Sequence, residues 1–168
     1  MAGLHVFDSH RDVANAWLRS LIEDLELAPG EHARALHALR AGLHAIRDRL
    51  PAAEVVDLAA QLPTLLRGIY YEGWKLDNDP TRIRDRAAML ARVDSELGPP
   101  PRLGAYDVLR SVIRLLVKHV SPGEIRHLIA NLPRPIAALW QELSAPVTEL
   151  VLASPARQAQ VRHTGYMR

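Results

Sequence analysis

A chain of 168 residues without a cysteine is long enough for one domain that buries about 70% of its unfolded surface. It also excludes disulfides, thiolate metal sites and thiol catalysis. The formal charge is only +2, with acids and bases interspersed as on solvated helix faces. The dense basic stripe with exposed aromatics that nucleic-acid binding calls for is missing.

No window reaches the roughly 18 apolar residues of a membrane span, and Met1 to His10 has no signal pattern. The expectation is a soluble, cytoplasmic protein with no membrane span and no nucleic-acid partner.

Taken in order, Ser9-His10-Arg11-Asp12 reads as a capping box. The helix it opens carries Val13, Trp17, Leu18, Leu21 and Leu25 at amphipathic spacing. Ala28-Pro29-Gly30 breaks it. A long helix follows to about Arg49, with Leu36, Leu39, Leu43, Ile46 and Leu50 alternating by three and four.

Leu50 to Tyr70 then reads as helix, proline corner at Leu62-Pro63, and a second short helix with Leu66, Ile69 and Tyr70 inside. Gly73 ends it. Asp79-Pro80 offers a cap and a first-turn proline for the next helix, which carries Met89, Leu90, Val93 and Leu97. Gly98-Pro99-Pro100-Pro101 stops that helix, and another carries Tyr106, Leu109, Ile113, Leu116 and Val120.

Ser121-Pro122-Gly123-Glu124 is a full start signal, with a capping serine, a first-turn proline and a glutamate placed to return the bond. A second proline corner falls at Leu132-Pro133, and a helix with Ile136, Leu139, Trp140 and Leu143 follows. A short helix from Pro146 to Leu152 and a polar tail with Arg157, Arg162 and Arg168 complete the chain.

The second half restates the first. Glu54 matches Glu124, Val55 Ile125, Leu58 Leu128, Leu62-Pro63 Leu132-Pro133 and Tyr70 Trp140, each pair 70 residues apart. Leu36 to Leu50 match Tyr106 to Val120 at the same offset, and Leu18, Leu21 and Leu25 match Leu90, Val93 and Leu97 at 72. The fold class expected is all-α, a single helical domain over residues 6–143. It consists of two four-helix repeats (about 9–74 and 80–143) related by a pseudo-two-fold axis, with 144–168 as short helix and tail. Two copies are too few for a solenoid, so a closed pair is expected.

One asymmetry suggests how the copies meet. Ala38, Gly42 and Ala45 leave a groove where Val108, Val112 and Leu115 make a ridge. Either the two long helices cross there, or the groove admits a partner helix or a second copy of the chain.

Leu43 to Leu50, Gln61-Leu62-Pro63, Leu66 to Trp74 with its Tyr71-Glu72-Gly73-Trp74 segment, and Val120 to Glu124 together resemble the bacterial family called domain of unknown function 2267. The resemblance covers roughly Val6 to Trp140. It implies a small all-helical bacterial protein, with an arrangement similar to globin-like topologies, and it implies no activity.

No residue is singled out as catalytic, cofactor-binding or metal-ligating. His37 and His44 lie two turns apart, too far for one metal, and one phenylalanine is poor material for a haem pocket. The histidines read as surface or boundary residues. Glu54 and Glu124 fall where capping suffices. Asp77-Asn78-Asp79 lacks the glycine and distant glutamate of a calcium loop, and no nucleophile or phosphate-loop motif is present.

Tyr71 and Trp74 have no aromatic counterparts in the second half. They read either as a partner anchor or, with Gly73 as a left-handed terminator, as a packed helix end. The function expected is a non-enzymatic protein–protein interaction or assembly module, homo-oligomerisation included, with no cofactor. The alternative is a helical pocket between the repeats for an apolar small molecule, lipid or haem.

Overall fold

The computed structural model describes residues 5–100 and 103–146, and among them the regular structure is helical, with no strand. In chain order the helices are α1 (Asp8–Asp24), α2 (His32–Arg49), α3 (Ala52–Gln61), α4 (Thr64–Tyr71), α5 (Arg86–Leu97), α6 (Ala105–His119), α7 (Pro122–Ala130) and α8 (Arg134–Ser144). The all-α class is as expected. The helix proposed over Pro146 to Leu152 and the basic tail lie outside the described residues. No helix among the described residues is long and apolar enough to cross a membrane.

Two starts differ from expectation. Ser9 sits inside α1, which begins at Asp8 behind Phe7 with no side-chain cap. His5 and Asp8 bond to each other there at 2.6 Å, and the helix begins two residues earlier than a Ser9 cap would place it. Asp79 does cap, but only a short 3-10 turn, Pro80–Arg82, by accepting from the Thr81 amide at 2.9 Å. Asp85 is the cap of α5, accepting from the Ala88 amide at 2.9 Å. Both aspartates satisfy an orphan amide; the chain spends the first on a turn that redirects it towards α2.

Both proline corners form as the sequence demands. Leu62 is extended and Pro63 precedes α4; Pro133 stands in the same relation to α8. Ser121 caps α7 through the Glu124 amide at 3.3 Å.

The core sits around α2 and α6. Ala38, Leu39, Ala41, Leu43, Ala45, Val108, Leu109, Val112 and Leu116 have no measurable exposure. Every residue from 41 to 47 is buried, which makes α2 the central rod of the molecule rather than an amphipathic surface helix. A Cβ built on Gly42 would lie 2.6 Å from Val112 Cγ2. The groove of α2 is thus filled by the ridge of α6, and the two backbones approach this closely because position 42 has no side chain.

Apart from the contact of α2 with the Pro80–Arg82 turn, the remaining principal contacts fall into pairs. The contacts α1–α2, α1–α4, α2–α4 and α3–α4 have counterparts in α5–α6, α5–α8, α6–α8 and α7–α8. Likewise α1–α6 answers α2–α5, while α2–α6 and α3–α7 are contacts between corresponding helices.

Candidate functional site

The buried stretch of α2 carries two residues that do not belong in an apolar core, His44 and Arg47, 5% and 3% exposed. Their partners explain them. α4 ends inside the molecule, and the last carbonyls of a helix have no partner within it. Arg47 Nη1 donates to the Tyr70 carbonyl at 2.6 Å and the Glu72 carbonyl at 2.7 Å, and His44 Nε2 lies 2.7 Å from the Ile69 carbonyl. Cationic groups here also meet the negative end of the helix dipole. Gly73, at φ +69°, then turns the chain in the left-handed region, and the Trp74 amide donates back to the Tyr71 carbonyl.

α5 supplies the opposite wall. Glu96 Oε1 lies 2.7 Å from His44 Nδ1. Arg92 bridges, donating to Glu96 Oε2 and Asp48 Oδ2 at 2.9 Å each. Arg47 closes the chain of charges on Asp48 Oδ1 at 2.8 Å. The two partners of the His44 ring, the Glu96 carboxylate and the Ile69 carbonyl, are both hydrogen-bond acceptors. Burial alone would raise the Glu96 carboxyl, but the hydrogen bonds and charges of His44 and Arg92 outweigh it and hold the group at about 2.

His44, Arg47, Asp48 and Arg92 floor a polar cleft of about 610 Å³ whose rim is the connection after α4. Trp74 stands on that rim and Tyr71, the last residue of α4, lies against it, both half-buried and with ring centroids 5.8 Å apart. Leu76 beyond them is 77% exposed. Asn78 ties the rim down by donating to the Asp48 carbonyl at 3.2 Å, and Arg40 holds Glu72 at 2.7 Å. The Asp77-Asn78-Asp79 run therefore serves the rim, with Asn78 fastening it to α2 and Asp79 capping the turn that follows.

A second cleft, of about 340 Å³, lies between α1 and α6. Arg114 stands 70 residues after His44 and reaches the end of α8, donating to the Leu143 and Ala145 carbonyls at 3.3 and 3.1 Å. Its acid is Asp24, 72 residues before Glu96, at 3.5 Å. Ser111 also donates to Asp24. Where the first cleft has Arg92 on Asp48, the second has Ser20 and Lys118, 3.4 Å apart.

Of the residues singled out from sequence, Ala38, Gly42 and Ala45 are buried beneath α6 within the chain itself. Tyr71 and Trp74 come together at the rim. His37 is exposed, His119 stacks on Trp17 at 4.4 Å, and His44 is a buried member of the charge chain rather than a surface or boundary residue. Arg47, Asp48, Arg92 and Glu96 went unremarked in the sequence. Small residues at 41, 42 and 45 mark α2 as buried all round, and that is the signal that its His and Arg need internal partners.

The fold and its two clefts define an all-helical protein with a polar cleft, floored by paired charges, between α2 and the connection after α4. The chain belongs to the family described as uncharacterized conserved protein (DUF2267), whose profile matches residues 14–139. That match takes in both clefts and the aromatic rim. No curated protein matches the chain.

Proposed function

We propose that this protein is a non-enzymatic protein–protein interaction module built from two copies of a four-helix unit, and that it recognises its partner through the cleft between α2 and α5. One observation carries the reading. Of the two corresponding clefts, the one at the end of α4 has a rim that couples an aromatic pair, Tyr71 and Trp74, to a leucine left 77% in water. Aromatic anchors beside satisfied charges are the composition of binding hot spots. The hydrogen bonds that fix the rim to α2 mean that docking there orders little further chain.

The test is the mass of the full chain in solution across a concentration series, with cross-links located by peptide mass spectrometry. Self-association, or a complex with a second protein, whose cross-links fall on residues 71–79 and which Trp74→Ala and Leu76→Ser abolish, supports the reading. A monomer that retains a small molecule in native mass spectra overturns it.

That outcome would favour the second reading, an apolar-ligand carrier. A groove of about 440 Å³ formed by Ile22, Leu27 and Pro29 between α1 and α2 speaks for it. This groove lies within the first half of the chain, whereas the cavity anticipated from sequence lies between the halves.

A further inference from the structure

The capping glutamates read from the sequence do not cap. α3 starts behind Pro51 with no side-chain cap, and Glu54, in its first turn, is only 8% exposed. Its counterpart Glu124 sits in the first turn of α7, where Ser121 already does the capping. Each carboxylate keeps one buried oxygen, Oε2 of Glu54 and Oε1 of Glu124, that makes no hydrogen bond.

Those glutamates meet across the α3–α7 contact. His127 is three residues beyond Glu124 on the same face of α7, a Glu-x-x-His spacing that helical metal sites use. Its Nδ1 is 3.3 Å from Glu54 Oε2, and one ligand atom from each of the three residues falls within 4.8 Å of the others.

We propose that Glu54, Glu124 and His127 bind one divalent first-row transition-metal ion of the zinc type, clamping α3 to α7. The independent sign of a ligand is that neither buried oxygen makes a hydrogen bond, Glu54 Oε2 having only the looser ion pair to exposed His127. An anionic oxygen removed from water without a partner is costly, and two carboxylates sharing one site repel until a cation lies between them. Tetrahedral ligand atoms at about 2.0–2.2 Å from zinc stand about 3.3–3.6 Å apart. Glu54 Oε2 and His127 Nδ1 already have that spacing, at 3.3 Å, and a spread within 4.8 Å over all three closes by side-chain rotation, to which His127, 57% exposed, is free.

One imidazole with two carboxylates suits zinc, manganese or cobalt better than calcium or magnesium, which prefer all-oxygen shells. Three protein ligands leave a fourth position for water, and the exposed side of His127 gives the ion its path in. The site is distinct from the cleft proposed above for the partner, so either can fail without the other.

The experiment is calorimetric titration of the chelator-treated full chain with Zn²⁺ alone, repeated for Glu54→Gln, His127→Ala and His37→Ala. The expected result is one equivalent bound by the parent and by His37→Ala, with affinity lowered about tenfold or more in the other two. The bound ion should also raise the melting temperature of the parent. Should Glu54→Gln fail to fold, as far-UV circular dichroism would show, half-exposed His127→Ala decides alone. Cobalt supplied in place of zinc should give the visible bands of a low-coordinate site, and these should vanish with His127. Absence of a saturable equivalent, or undiminished binding by His127→Ala, overturns the assignment and leaves the remaining histidines as an adventitious metal surface.

Discussion

The two clefts are built at corresponding places and hold very different chemistry. In each, a residue of the central helix reaches the open end of the last helix in its half, and an acid from the neighbouring helix pairs with it. The first does this with buried His44 and Arg47, an acid at 2.7 Å and a bridging arginine at 2.9 Å. The second relies on Arg114, 23% exposed, with its acid at 3.5 Å. The backbone task, satisfying a helix end inside the molecule, is common to both. The tight charge chain and the aromatic rim belong to one. A shared scaffold with unequal chemistry sets the end of α4 apart, and the second cleft serves as an internal control for it.

The largest effect that would break the comparison is Arg47→Met. It leaves the carbonyls of Tyr70 and Glu72 and the carboxylate of Asp48 without their buried donor, at a cost of about 3 kcal/mol in urea denaturation. Arg114→Met, at the wetter site, should cost about 1 kcal/mol. Equal losses would mean that the clefts differ in appearance only.

The next effect strikes the crossing both halves share. Gly42→Ala puts a methyl 2.6 Å from Val112 Cγ2 and should cost about 1–3 kcal/mol. Val112→Ala added to it should recover part of that loss, and a purely additive pair would contradict the close approach.

Glu96→Gln should lose about 1–2 kcal/mol at neutral pH and change the response to acid. The Glu96 carboxyl is held at about 2, below its ordinary 4.5. Its contribution is therefore present above about pH 4.5 and drains away as pH falls towards 2. Denaturation midpoints followed from pH 6 down to about pH 2 should fall less steeply in the variant than in the parent. A parallel fall in both would show that the His44–Glu96 pair is not what ties α5 to α2. Trp74→Ala should have the smallest effect on stability, about 1 kcal/mol for a half-buried ring. A loss of 3 kcal/mol or more, the range of a fully buried tryptophan, would make the rim a packed helix end and remove it from recognition.

The helices, both proline corners and the left-handed turn at Gly73 were legible in the sequence, and the closeness of α2 to α6 was one of the readings that its groove and ridge left open. Each follows from a local rule, such as apolar period, a proline without an amide, a glycine's freedom, or one missing side chain opposite a valine. Two helix starts were misplaced because several aspartates and serines compete as caps, and only the path of the chain decides which faces a free amide.

The charged cleft was out of reach for a different reason. His44, Glu96, Arg92 and Asp48 are spread over 52 residues of sequence, and nothing local says that the end of α4 will stop beside the middle of α2. Composition and periodicity determined that this chain is helical, doubled in pattern and able to bury a core. Tertiary structure alone decided which polar groups are buried and with whom, because the cost of burying a charge is settled by its neighbours in space.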